Sequence, residues 1–145
     1  MVEPNTNVDS HIVFFDYFFT RHKPLVELAE RSIRASGTIR DGRTGRSPLV
    51  SIKLIEKKPR RSQDFKSNGK VLCMRWNDSK AVTVATNCFD VSPIHKVERW
   101  IKASGKKTIS QRHAIKMYNF VIGGVDICDH LLSSYRPRIR SKKWR

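Results

Sequence analysis

Apolar residues first gather in an unbroken run, Ile12-Val13-Phe14-Phe15. A half-exposed strand alternates apolar and polar positions. A run that is apolar throughout suits a strand covered on both faces, as in a parallel sheet. The period then changes. Leu25, Leu28, Ala29 and Ile33 recur at helical spacing, with Pro24 where a first helical turn tolerates it. Ser36-Gly37 reads as the end of this helix, and Gly37-Thr38-Ile39-Arg40 as a second strand. Strand, helix and strand form a βαβ unit, whose crossover is expected to be right-handed.

From about Asp41 to Ser110 the chain is richer in charge, glycine and proline. Strand signals lie over Ser51–Ile55, Val71–Trp76 and Ala81–Thr86, with Asn77-Asp78-Ser79-Lys80 as a hairpin turn between the last two. Pro93 to Lys102 reads as a short helix. Residues 43–110 are thus expected to form a β-rich insertion on an α/β core. Ile115, Tyr118, Ile122, Val125 and Leu132 then mark one stripe of a late helix, from Gln111 to Tyr135. Gly123-Gly124 interrupts it. Each glycine costs on the order of 1 kcal/mol relative to alanine, so the pair predicts a bend or a close backbone approach. Residues 11–135 are read as one partial domain and 136–145 as a basic tail.

Charge changes the picture most. Twenty-nine Lys and Arg stand against thirteen Asp and Glu, a formal net charge of +16. Such a surplus repels itself unless a polyanion neutralises it. The cations come in blocks: Lys57-Lys58-Pro59-Arg60-Arg61, Lys106-Lys107, and Arg136 to Arg145. Blocks of this kind are solvated faces, phosphate contacts or nuclear import signals. Three together favour nucleic acid, and a nuclear location is expected. No apolar run approaches the length of a membrane span, so no membrane partner is expected. The N-terminal residues do not read as a signal peptide. Cys73, Cys88 and Cys128 have no zinc spacing and form no credible disulfide set, so they read as ordinary thiols and no zinc is expected.

Two carboxylates stand out. Asp16 directly follows the first strand, and sites in open parallel sheets form at strand carboxyl ends. It reads either as a metal ligand or as a turn or capping residue. Asp126 lies beside the apolar stripe of the late helix, with Asp129 and His130 on roughly the same face. These residues read either as metal ligands or as salt-bridge partners. Carboxylates from a strand end and a packed helix can hold the hard cations that phosphodiester chemistry uses.

At these residues the chain resembles piggyBac-type transposases. Phe15-Asp16-Tyr17-Phe18-Phe19-Thr20 resembles their "DNFFTS", and Gly37-Thr38-Ile39-Arg40-Asp41-Gly42-Arg43 their "GTIRxNR". Arg75-Trp76-Asn77-Asp78-Ser79-Lys80 is similar to "KWxDNK". Tyr118-Asn119 with Gly123-Gly124-Val125-Asp126-Ile127-Cys128-Asp129 is similar to "YNxxMGGVDxxDQ", and Lys142-Lys143-Trp144 to the "KKW" that follows. The motifs come in family order from His11 onward.

The resemblance implies a partial RNase H-like core: strand, helix and strand, plus the late helix, with the β-rich insertion. It makes Asp16 and Asp126 the second and third catalytic aspartates and ligands of Mg²⁺ or Mn²⁺, supported by Asp129 and Asn119. It implies DNA as partner, held by Arg40, Arg43, Lys57, Lys58, Arg60, Arg61, Lys142 and Lys143, and a possible homodimer. The sequence also departs from the pattern. Tyr17 replaces asparagine, Arg21 serine, Gly42 asparagine, and Ile122 methionine; Arg61 falls where the family tends to have glycine. Asp9 is the sole aspartate before Asp16 and stands too close to sit on a separate strand. The family's first catalytic aspartate is therefore read as absent. The chain is expected to be a fragment that binds DNA and does not cut it; the alternative reading is a domesticated, non-catalytic DNA-binding module.

Overall fold

The computed structural model describes residues 11–78, 80–101 and 105–135. The first strand, β1, covers Ile12–Phe15, the run read from the sequence. Helix α1, His22–Glu30, leads to β2, Arg34–Thr38, which pairs parallel to β1 with Phe15 opposite Gly37. This is the expected strand, helix and strand, with its boundaries moved. Helix α1 stops at Glu30 rather than at Ser36-Gly37, and Ser32 at φ 58° makes the turn that glycine was expected to make. Ser36 and Gly37 lie inside β2, which starts three residues earlier than its sequence signal. Gly37 is there for closeness. A Cβ at this position would lie 2.6 Å from the Phe15 carbonyl oxygen and nearer still to Thr20 Oγ1.

After a 3-10 turn, Asp41–Arg43, comes helix α2, Ile52–Lys57. The sequence signal there was a strand. Ile52-Lys53-Leu54 mimics strand alternation, but Ile55 is the side chain that inserts under α2, at 1% exposure, while Leu54 is 57% exposed. Strands β3 (Gln63–Ser67), β4 (Leu72–Asn77) and β5 (Ala81–Thr86) follow. Together with β1 and β2 they make one five-stranded sheet in the order β1-β2-β5-β4-β3. Strand β5 runs antiparallel to β2, with Thr38 opposite Val84, and β4 and β5 form the expected hairpin, with Asn77 opposite Ala81. Three strands of the 43–110 segment therefore extend the sheet that β1 begins.

The other two form a separate ribbon. Strands β6 (Ile94–Ile101) and β7 (Gly105–Arg112) pair antiparallel from Ile94 opposite Arg112 to Ile101 opposite Gly105. The expected helix over 93–102 is thus a strand. Its period is two: His95 and Val97 face buried Gln111 and Ile109, while Lys96, Glu98 and Trp100 are exposed. Helix α3, His113–Tyr135, closes the chain as expected. It continues through Gly123 and Gly124, and a Cβ at either would meet nothing within 4 Å, so no close approach among the described residues accounts for the pair.

Two apolar layers cover the sheet. On one face Leu25 of α1 packs with Ala35, Ile39, Val71, Cys73 and Ala85, joined by Phe15. On the other, Ala114, Ile115 and Tyr118 of α3 pack with Leu72, Met74, Trp76, Val84 and Phe89, joined by Ile12, Phe14 and Ile122. The alternation of β1 thus feeds both layers, although Val13 remains 40% exposed.

Candidate nucleic-acid interface

Asp16 follows β1 at its carboxyl end, exposed to solvent. Its backbone carbonyl accepts from Phe19 N (3.0 Å), Thr20 N (3.2 Å) and Thr20 Oγ1 (2.9 Å), and its Oδ1 accepts from Tyr17 N (2.5 Å). Asp16 therefore shapes a turn over residues 17–19. It does not cap α1, whose first residue follows Arg21 with no side-chain cap. The turn leaves the carboxylate facing water, a hard oxygen donor of the kind a divalent cation takes.

The turn also presents Tyr17, Phe18 and Phe19, which are 42%, 62% and 74% exposed. Arg40, just beyond β2, lies with its guanidinium carbon 4.8 Å from the ring centres of both Tyr17 and Phe18. Its Nε is buried with no hydrogen-bond partner among the described residues. Arg43 reaches back to the same turn, Nη1 donating to the Phe18 carbonyl at 2.6 Å. Composition did not flag this arrangement. Its signal was the aromatic run itself, Phe14 to Phe19 broken only by Asp16.

Between Arg40 and Arg43, Asp41 is tied down. Its carboxylate pairs with Arg75, a guanidinium only 1% exposed, which also donates from Nε to Thr83 Oγ1 (3.0 Å) and from Nη1 to the Val50 carbonyl. Burying a guanidinium is costly unless its donors are matched. Here three oxygens on separate segments match them, and the 3-10 turn carrying Arg43 is fixed to the sheet.

The register places the other predicted cations on the same side. From Phe15 toward Asp16 the sheet runs to the end where Asn77 meets Ala81. Asn77 Nδ2 donates there to the carbonyls of Ile55 (2.9 Å) and Lys58 (3.0 Å), closing α2. Exposed Lys57, Lys58 and Arg60 follow, with half-buried Arg61 at φ 80°. Tyr17, Asp41, Ile52 and Ala81 line one cavity of about 260 Å³ that joins the aromatic turn to α2. Three acids near this end are engaged, Asp41 by Arg75, Asp78 by Arg60 at 3.5 Å, and Glu56 Oε1 by Ala81 N at 3.1 Å, while Asp16 stays open to water.

Helix α3 approaches the same region from the other face. Tyr118 Oη lies 3.0 Å from Thr38 Oγ1, and Ile122 packs with Phe14 in one layer. Asn119 is exposed beside Tyr118. Asp126 stands one helical turn beyond Ile122 in α3, and Asp129 three residues further. The side chains of Asp126 and Asp129 lie outside the described residues, as do Lys142 and Lys143. Among the described residues no group of three or more His, Cys, Asp or Glu forms a metal cluster. Buried Cys73 is a core thiol, pushed up to about 11 by burial, and Cys88 is also free. No helix among the described residues is long and apolar enough to cross a membrane.

Comparison with known proteins adds relatives to this geometry. The family model described as Transposase IS4 matches residues 1–145. Human piggyBac transposable element-derived protein 3 is 39% identical over 137 residues, covering 92% of this chain and 23% of that protein. Human piggyBac transposable element-derived protein 2 is 33% identical over 135 residues, covering 91% of this chain and 23% of that protein. The chain thus spans about a quarter of the length of these relatives. Among solved structures, a piggyBac transposase synaptic complex with hairpin DNA matches with a TM-score of 0.58 at 19% identity, over 85% of this chain and 24% of that one. That likeness concerns the fold: a mixed α/β sheet with helices, consistent with an RNase H-like core.

Proposed function

The chain belongs to the Transposase IS4 family, with piggyBac-derived proteins among its relatives, and on that premise we propose that it is a transposase-derived DNA-binding module. The observation that carries this reading is the collection of Arg40, Arg43, Lys57, Lys58, Arg60 and Arg61 toward one end of the sheet, where the nearby acids Asp41, Asp78 and Glu56 are already engaged. Arg60 is shared with Asp78, but the other five form no ion pair among the described residues and are available to backbone phosphates, a sequence-independent and salt-sensitive source of affinity. The match to a transposase solved with DNA supports the choice of polyanion.

Asp16 and Asp126 are proposed as two carboxylates of a divalent metal site, with Asp129 and Asn119 in support. The exposed oxygens of Asp16 fit Mg²⁺ or Mn²⁺, and α3 crosses the same face of the sheet as Phe14, two residues before Asp16. The ion, when bound, would supply charge stabilisation for phosphodiester displacement. The protein's own part is to fix Asp16 at the strand end through its turn and to lay phosphates against Arg40 and Arg43.

Two carboxylates under-hold such an ion, so the 145-residue polypeptide is proposed to bind DNA without cutting it. The test combines both halves. The purified chain and its Asp16→Asn variant are incubated with duplex DNA in Mg²⁺ or Mn²⁺, and binding and nicking are followed together. Equal affinities and no nicking are expected. Nicking that disappears in Asp126→Asn would contradict the inactivity, and absence of any DNA binding would contradict the whole reading.

A further inference from the structure

The aromatic turn after Asp16 is exposed for a structural reason. The Asp16 carbonyl holds Phe19 N, Thr20 N and Thr20 Oγ1 at once, and Thr20 is 1% exposed, so the turn is pinned at its end. Those bonds fix the backbone from which Phe18 and Phe19 project, with the rings 62% and 74% exposed. Two large apolar rings therefore stand in water, a position that normally calls for a partner. Their neighbours define its chemistry. Arg40 is held against the faces of Tyr17 and Phe18, and Arg43 against the Phe18 carbonyl. Among the described residues neither forms an ion pair. The partner thus presents a flat π-surface and an anion within one residue's reach. A nucleotide does both: its base stacks on an aromatic ring and its phosphate meets the guanidinium. A base inside a duplex shows only its edges, because its faces are covered by neighbours; only an unpaired or terminal base offers a face.

We propose that Tyr17, Phe18 and Phe19, braced by Arg40, form a stacking platform for an unpaired nucleobase beside Asp16. This rests on the DNA-binding reading and adds the form of DNA preferred: ends or junctions with an unpaired nucleotide over blunt duplex.

The test uses the 145-residue chain and two DNAs with equal numbers of phosphates, one blunt and one with a short 3′ overhang containing 2-aminopurine. Fluorescence anisotropy reads affinity, and 2-aminopurine emission reads stacking. The overhang DNA is expected to bind about tenfold tighter, the scale of one stacked base, with its emission quenched. Phe18→Leu with Phe19→Leu keeps apolar bulk but removes the rings; it is expected to abolish preference and quenching and to leave blunt-duplex affinity unchanged. Phe18→Trp is expected to retain both. Equal affinity for the two DNAs overturns this inference alone, as does a preference and quench that survive the double leucine variant. Failure to bind either DNA overturns it together with the DNA-binding reading.

Discussion

Arg75 shows how a single residue can be placed by sequence and still be misjudged. Its motif, Arg75-Trp76-Asn77-Asp78-Ser79-Lys80, was legible, but arginine in so basic a chain reads as surface charge. The structure buries it to 1% exposure and matches it with Asp41, Thr83 and Val50. Asp41 was equally unremarkable in sequence, because its partner is 34 residues away. Asp41→Ala would leave the buried guanidinium one partner short. Asp41 is itself 57% exposed, so the expected cost is about 1 kcal/mol, the lower end for leaving a buried donor without its partner. Urea unfolding of the variant against the parent measures it. A loss within a few tenths of a kcal/mol would mean that water replaces the carboxylate freely. Asp16, by contrast, was found by its position after an apolar run, a local signal that needs no distant partner.

At the scale of elements, short signals failed where pairing or packing decided the outcome. Ser51–Ile55 has strand-like alternation, yet α2 forms there because Ile55 caps a core and Asn77 closes the helix end. Strand β7 is too polar to announce itself, and without it β6 has no visible partner. Only their eight-residue register makes the ribbon. The elements with a full local pattern were legible: β1, the β4–β5 hairpin and α3. The ribbon docks on α3 through a cluster of His95, His113 and Lys116. His95 Nε2 lies 2.9 Å from His113 Nδ1, and Lys116 Nζ 3.2 Å from His95 Nδ1. Desolvation first, then Lys116 and His113, lower the His95 pKa below its ordinary 6.5. The unfolded chain then takes up a proton that the folded chain refuses. Stability is full above the unfolded value and falls as pH drops below 6.5 toward the lowered folded value. Thermal unfolding at about pH 7.5 and about pH 5.5 is expected to show a lower midpoint in acid, with His95→Gln reducing the difference. A midpoint that rises in acid would reverse the assignment.

For the whole molecule, the blocks of positive charge were plain in sequence but their convergence was not. Arg40 and Arg43 lie beyond β2, and Lys57 to Arg61 run from the last residue of α2 onward. Only the antiparallel return of β5 against β2, and of β4 against β5, brings these segments to one end. In sequence, residues 43–110 read as an insertion whose cations contact DNA, but nothing there places them at the same end of the sheet as Asp16. The same register supplies a control. Lys66 and Lys70 sit at the other end of the sheet, where Ser67 meets Leu72 and Leu72 meets Thr86, and Lys70 is spent on Glu30 at 2.6 Å.

The most direct measurement is therefore the salt dependence of duplex binding for three proteins: the parent, Lys57→Ala with Lys58→Ala, and Lys66→Ala with Lys70→Ala. Each phosphate contact contributes about 0.9 to the slope of log affinity against log salt. The account predicts a slope lowered by about two for the Lys57 and Lys58 pair and a slope unchanged for the Lys66 and Lys70 pair. Equal losses from both pairs, or a larger loss from the second, would contradict a DNA interface at the Asp16 end of the sheet.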